Sequence, residues 1–275
     1  MLNKHIMVPD RQEIIQRLYM RQRDRFLASD FAIYELDHLV YPAHQTAYVT
    51  LSKVPDPDVV VIYSYGGNNP HHFYRADSGL ITDRTTGQMQ QFTYEWMNHW
   101  LDNGIAVVIF DVPDYFVVHG QPWVNSFYRK SKDRLREARQ LIDIVADRFR
   151  SSRVCWAGLS YGAQEAAMVS LEPSRLHKVA SISGTWHVIP DVDEFYQGVR
   201  LDWYSVEQSC CPVLIVMHEK ETFEKAQHEM TLTDSILVTN DVSAEDGHFF
   251  RERQAEVVRA ICDWFRDKNY PPIIP

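Results

Sequence analysis

Polar and apolar positions alternate in two segments near the start of the chain, FAIYELDHLVY and TAYVTLSKV. Alternation of that kind predicts an antiparallel strand pair. After the loop Pro55-Asp56-Pro57-Asp58 the pattern changes: VVVIYSY is a continuous apolar run, as in a strand covered on both faces of a parallel sheet. Helical spacing follows. Met89, Phe92, Trp96 and Trp100 predict a helix over Met89–Asn103 that closes at Gly104 as its C′ residue. IAVVIF reads as a strand. In SKDRLREARQLIDIVADRFR, Leu135, Ala138, Ile142, Val145 and Phe149 line one helical stripe. RVCWAG is a predicted strand and Gln164–Leu171 a helix; VASIS, VLIVMH and SILVTN are further strands, and Arg251–Lys268 a last helix.

Such repeated alternation requires a mostly parallel sheet with helices on both faces, because right-handed crossovers place them there. Here it carries an N-terminal antiparallel strand pair. The 275 residues suit one α/β domain over 31–275, with a short insert at 185–211 that is too brief for a large helical lid. Residues 1–30 form a helical extension in this reading. Within it, 10–28 is amphipathic, with Ile14, Ile15, Leu18, Tyr19 and Phe26 on one side and Arg11, Arg17, Arg21, Arg23 and Arg25 around the rest. That helix is expected to pack on its own domain with a solvated basic face. The rival expectation makes it an assembly interface, so a homo-oligomer stays open.

Composition narrows the class. A formal net charge of -9 leaves no basic excess to neutralise phosphates, which argues against nucleic acid as the main partner. No apolar run approaches the roughly 20 residues that span a bilayer, so no membrane span is expected. The first residues lack the apolar core of a secretion signal, and the expected location is the cytoplasm. The four cysteines, Cys155, Cys210, Cys211 and Cys262, have no metal-binding spacing; Cys155 and Cys262 read as small buried hydrophobes.

The candidate chemistry lies in VCWAGLSYGAQEAAM. A predicted strand runs into Gly158-Leu159-Ser160-Tyr161-Gly162, and a predicted helix leaves it. Two glycines around a serine at a strand-to-helix turn let strand and helix approach closely, with the hydroxyl held in strain at the apex. Open-sheet proteins bind ligands at the carboxyl ends of their strands, which is where that apex falls.

On this motif and the element order, the chain resembles the α/β-hydrolase superfamily from about Phe31 to Phe265. The resemblance implies a nucleophile, an acid and a histidine in that chain order. Ser160 is the implied nucleophile. His248, in SAEDGHFFRERQ between the last strand and the last helix, is the implied base; His71, His72, His119 and His187 fall in rim loops but none follows the final strand. Glu221 matches the acid position beyond VLIVMH, where an aspartate is usual in the family. Glu219 is its nearest rival, with Asp191, Asp193, Glu194 and Asp246 as further alternatives. In IYSYGGNNP, Tyr65 stands where relatives carry histidine, and the implied oxyanion donors are the amides of Gly67 and Tyr161. No metal and no cofactor is implied.

Aromatic residues such as Phe73, Tyr74, Tyr115, Trp123 and Trp186 fall in the predicted rim loops. They suit the wall of a pocket for an apolar or aromatic small-molecule acyl substrate, and equally suit packing of the loops themselves. The expected function is a serine hydrolase that cleaves a carboxylic ester or related acyl bond through an acyl-enzyme. Thioesterase, peptidase and acyl transferase or cyclase activity on the same residues stay open, as does a hydrolase-like binding module without turnover.

Overall fold

A computed structural model describes residues 32–41, 44–64, 66, 71–75, 81–83, 96–110, 132–184, 187–188, 202–203, 205–221 and 224–275. The predicted N-terminal helix at 10–28 lies outside these residues, as do most of the aromatic rim loops. The strands are β1 (Ala32–Tyr41), β2 (His44–Ser52), β3 (Val59–Ser64), β4 (His71–Arg75), β5 (Ile81–Asp83), β6 (Ala106–Phe110) and β7 (Arg153–Leu159). They continue with β8 (Lys178–Ile182), β9 (His187–Val188), β10 (Asp202–Trp203), β11 (Val213–His218), β12 (Asp234–Val238) and β13 (Ile273–Ile274). The helices are α1 (96–102), α2 (Lys132–Arg148), α3 (Tyr161–Ser170), α4 (Glu224–Glu229), α5 (Ala244–His248) and α6 (Gln254–Phe265).

Nine strands make one sheet in the order β1-β2-β6-β3-β7-β8-β11-β12-β13. β1 pairs with β2, and β2 with β6, in antiparallel fashion; every later pairing in the sheet is parallel. The all-apolar runs form the centre, where all six residues of β3 and all six of β11 are buried. Because side chains alternate across a strand, one set of β3 residues feeds each layer. Val59, Val61 and Tyr63 pack with Trp96 and Trp100 of α1 and with Val257, Ile261 and Phe265 of α6. Val60 and Ile62 pack on the other face with Ala138, Leu141, Ile142 and Val145 of α2 and with Ala166 and Ala167 of α3. Helices therefore cover both faces, as the strand–helix alternation requires. Among the described residues no helix is long and apolar enough to cross a membrane.

The register brings the functional loops to one rim. Ser64 pairs with Gly158, Leu159 with Ile182, and His218 with Val238, so the carboxyl ends of β3, β7, β8, β11 and β12 line up. After β3 the chain moves to β6 on one side, then returns to β7 on the other. That reversal puts the topological switch point at the ends of β3 and β7, the usual ligand position in an open α/β sheet.

Among the described residues, α3 and α6 depart most from their predicted spans. α3 begins at Tyr161, three residues before the predicted start, because the chain turns helical directly after Ser160. α6 is shorter than Arg251–Lys268 at its N-terminal end, where Phe250 and Glu252 adopt left-handed backbone angles that no helix carries.

Candidate active site

Ser160 is the hinge between β7 and α3, with φ 55° and ψ −115°. A serine with positive φ is strained, and surrounding contacts must hold it there. Its N–H donates to the Ile182 carbonyl at 2.8 Å, and its carbonyl accepts from the Ala163 N–H at 3.0 Å. Below it, β7 and α3 meet where Gly158 faces Gly162. Gly66 stands beside the serine, since a Cβ placed on it would lie 3.0 Å from the Ser160 Cβ.

His248 Nε2 lies 3.0 Å from Ser160 Oγ, and its Nδ1 lies 2.7 Å from Glu221 Oε1. The carboxylate can only accept, so the imidazole proton sits on Nδ1 and Nε2 is left to accept from the serine hydroxyl. Glu221 is buried at 6% exposure. Its second oxygen accepts from the His218 backbone N–H at 3.2 Å, which fixes the carboxylate plane. The structure thus joins three residues that lie 88 and 27 positions apart along the chain. The Ser160 hydroxyl, the His248 imidazole and the Glu221 carboxylate form one hydrogen-bonded chain.

The other acids stand elsewhere. Glu219 is exposed, and Asp246 is held by Ser243 at 2.7 Å and by Arg251 at 3.1 Å. Asp191, Asp193 and Glu194 lie outside the described residues, and so does Gly67. Tyr161, the other residue expected to donate to an oxyanion, is the first residue of α3 and so sits at the positive end of a ten-residue helix. Of the weaker histidines, His71, His72 and His187 are described by backbone only, in β4 and β9, and His119 is not described. Cys155 and Cys262 are buried free thiols, as their apolar neighbours in sequence suggest.

Two sets of residues near the site had no signal in the periodicity. His218, at the end of β11, is buried at 1% exposure between the Glu221 turn and the His248 segment. Beneath Ser160, Ser64 Oγ donates to Glu165 at 2.6 Å, and Glu165 pairs with Arg134 at 2.9 Å. Arg134 also bonds Glu137 at 3.1 Å. This buried network ties the end of β3, the serine-bearing helix α3 and the start of α2 into one unit.

No protein-family profile matches the chain, and no curated protein matches it by sequence. Many solved structures share its fold. A 2,6-dihydroxy-pseudo-oxynicotine hydrolase aligns over 94% of this chain and 75% of its own, at 17% identity and a TM-score of 0.57. Dienelactone hydrolase from Anabaena variabilis aligns over 87% of this chain and 99% of its own, at 11% identity and a TM-score of 0.58. A hyperthermophilic esterase from the archaeon Pyrobaculum calidifontis covers 93% of this chain and 90% of its own, at 13% identity and a TM-score of 0.53. The fold of the chain is the α/β-hydrolase fold.

Proposed function

We propose that this chain is a serine hydrolase that cleaves a carboxylic ester of a small molecule. The observation that carries the proposal is the continuous relay from Ser160 Oγ through His248 to Glu221, at 3.0 and 2.7 Å, above a strained turn. In this reading the Ser160 oxygen attacks the ester carbonyl while its proton passes to His248 Nε2. Glu221 holds the imidazole in the accepting tautomer and stabilises the cation that forms. Charge develops on the carbonyl oxygen, where the Tyr161 amide at the start of α3 and the Gly67 amide are the donors we assign. Collapse expels the alcohol, which takes the proton from His248 and leaves Ser160 acylated. Water then attacks the acyl group, gives a proton to His248, and the acid departs as Ser160 recovers its hydrogen.

Named relatives in fold include an esterase and two other hydrolases, which supports hydrolysis over a purely binding role. A binder also has no chemical reason to hold a serine at positive φ within reach of a carboxylate-paired imidazole. Four cysteines carried as free thiols fit a reducing compartment. The test is labelling with a fluorophosphonate probe, which requires an activated serine. The wild-type chain is expected to label and Ser160→Ala is not; equal labelling of both, or of neither, refutes the reading.

A further inference from the structure

We propose that His218 is a positioning residue whose ring sets the separation between Glu221 and His248. The proposal rests on the hydrolase reading above for its consequence on turnover, but the geometry it describes stands independently of turnover. His218 is the last residue of β11 and touches both the turn that carries Glu221 and the segment that carries His248.

On one side it shapes the turn that carries the acid. The Glu221 N–H donates to the His218 carbonyl at 3.0 Å, and the His218 N–H donates to Glu221 Oε2 at 3.2 Å. The Lys220 N–H donates to His218 Nδ1 at 3.1 Å. A backbone N–H only donates, so Nδ1 must present its lone pair and the ring proton must sit on Nε2. That Nε2–H points across to the next strand end, 3.1 Å from the Asn240 carbonyl and 3.2 Å from Asn240 Oδ1. Asn240 opens the segment that leads through Ser243 into α5 and His248. One imidazole thus bridges the acid turn and the start of the base segment with hydrogen bonds at both nitrogens.

The other contact is steric. Gly247, the residue before His248, lies against the same ring. A Cβ there would stand 2.5 Å from Nδ1, 2.8 Å from Cγ and 2.9 Å from Cε1. The backbone that carries the base therefore rests directly on the ring that folds the acid turn. Ring size and ring orientation fix how far His248 sits from Glu221, and through it from Ser160. Lys220 strengthens the same connection, since its ammonium reaches the Val242 carbonyl and pairs with Asp241 at 2.7 Å. A histidine that merely filled space at a strand end would need neither the donor toward Asn240 nor a glycine pressed on its edge.

The experiment compares the full-length wild type with His218→Ala, His218→Asn, Gly247→Ala and the double variant His218→Ala/Gly247→Ala. Two readouts are used. The first is the downfield proton resonance of the His248 Nδ1–H, assigned by its loss in Glu221→Gln. The second is kcat and KM on p-nitrophenyl butyrate. His218→Ala and Gly247→Ala are each expected to abolish or shift the resonance and to lower kcat on the order of 10²-fold, with KM within about twofold of wild type. His218→Asn keeps an acceptor toward the Lys220 N–H and is expected to recover most of kcat. In the double variant the added methyl enters space vacated by the ring, so its kcat should be no lower than that of the worse single variant.

Folded His218→Ala and Gly247→Ala variants that keep the wild-type resonance and kcat overturn the proposal. So does a double variant in which the two losses multiply. If His218→Ala fails to fold by circular dichroism, His218→Asn and Gly247→Ala decide: a wild-type Gly247→Ala overturns the idea, and a lost resonance there with a retained one in His218→Asn upholds it. A wild-type chain that shows the resonance yet cleaves no ester refutes the hydrolase reading while leaving the resonance comparison to judge His218.

Discussion

A Cβ on Gly158 would stand 2.0 Å from the carbonyl oxygen of Gly162, so β7 and α3 touch backbone to backbone directly beneath Ser160. Gly162 makes the same kind of approach in turn, since a Cβ there would lie 2.0 Å from the Ser64 carbonyl oxygen. These neighbours are main-chain atoms of central elements and cannot retreat as a flexible side chain would. Gly158→Ala and Gly162→Ala are therefore each expected to destabilise the fold by about 1–3 kcal/mol. Urea unfolding should show a lower midpoint at unchanged slope. Fluorophosphonate labelling should fall even where most of the protein is still folded, because the turn that aims Ser160 is what the methyl displaces. A wild-type midpoint in either variant contradicts the close approach.

Glu221 and Glu219 are two residues apart, yet only Glu221 is buried and aimed at His248 Nδ1. Glu221→Gln preserves size and one accepting oxygen but removes the charge that, in the proposed mechanism, stabilises the imidazolium. Its kcat on a p-nitrophenyl ester is expected to fall by about 10³–10⁴ with unchanged far-ultraviolet circular dichroism. Glu219→Gln should stay close to wild type. Should the two variants exchange these outcomes, the acid would have to be reassigned.

Which features the chain advertises follows from how far each interaction reaches. Continuous apolar runs such as VVVIYS announce buried parallel strands because both of their faces are covered, and β3 is buried at every position. β13 has two residues and the β4 and β5 strands five and three, too few to establish a period. The start of α3 carries no apolar signal because Gly162 is a contact point for backbone rather than a core side chain. The family resemblance implies Ser160, Glu221 or a neighbouring acid, and His248 on rim loops, but which carboxylate meets the ring depends on distances across 27 residues. His218 is the polar last residue of the predicted strand VLIVMH, and periodicity gives it no partner. Arg134 and Glu137 fall outside the apolar stripe that marks α2, and the approach of Glu165, 31 residues from Arg134, helps make a buried position tolerable for them.

That burial gives a prediction on stability. Arg134, Glu137 and Glu165 are each no more than 1% exposed, and the guanidinium bonds both carboxylates. Arg134→Leu would leave Glu137 and Glu165 buried without that cation. The expected loss is about 3–5 kcal/mol, the usual consequence of removing one partner from a buried ionic cluster. The exposed pair Arg175–Asp147 has nearly the same length at 2.7 Å, but water screens it. Arg175→Ala should leave the urea midpoint where it is. Equal midpoints for the two variants would show that the buried cluster contributes nothing special.

Asp58 precedes β3, and Arg266 caps the end of α6; the two form a bidentate pair at 2.7 and 2.8 Å. Hydrogen bonding to the Arg266 guanidinium holds the Asp58 carboxyl below its ordinary value of 3.8. The folded state thus binds that proton more weakly than the unfolded chain does. Stability from the pair is complete above the unfolded value and is lost as pH falls through the lower folded one. The carboxylate is largely exposed, so its contribution should be at most about 1 kcal/mol. Wild type is expected to melt above Asp58→Asn by a constant margin from about pH 7 to about pH 5, with the margin shrinking below about pH 4. Raising the salt concentration to about 1 M should compress the same margin at neutral pH, since the Debye length drops to about 3 Å. A margin independent of both pH and salt would mean that Asp58 acts through packing rather than through its charge.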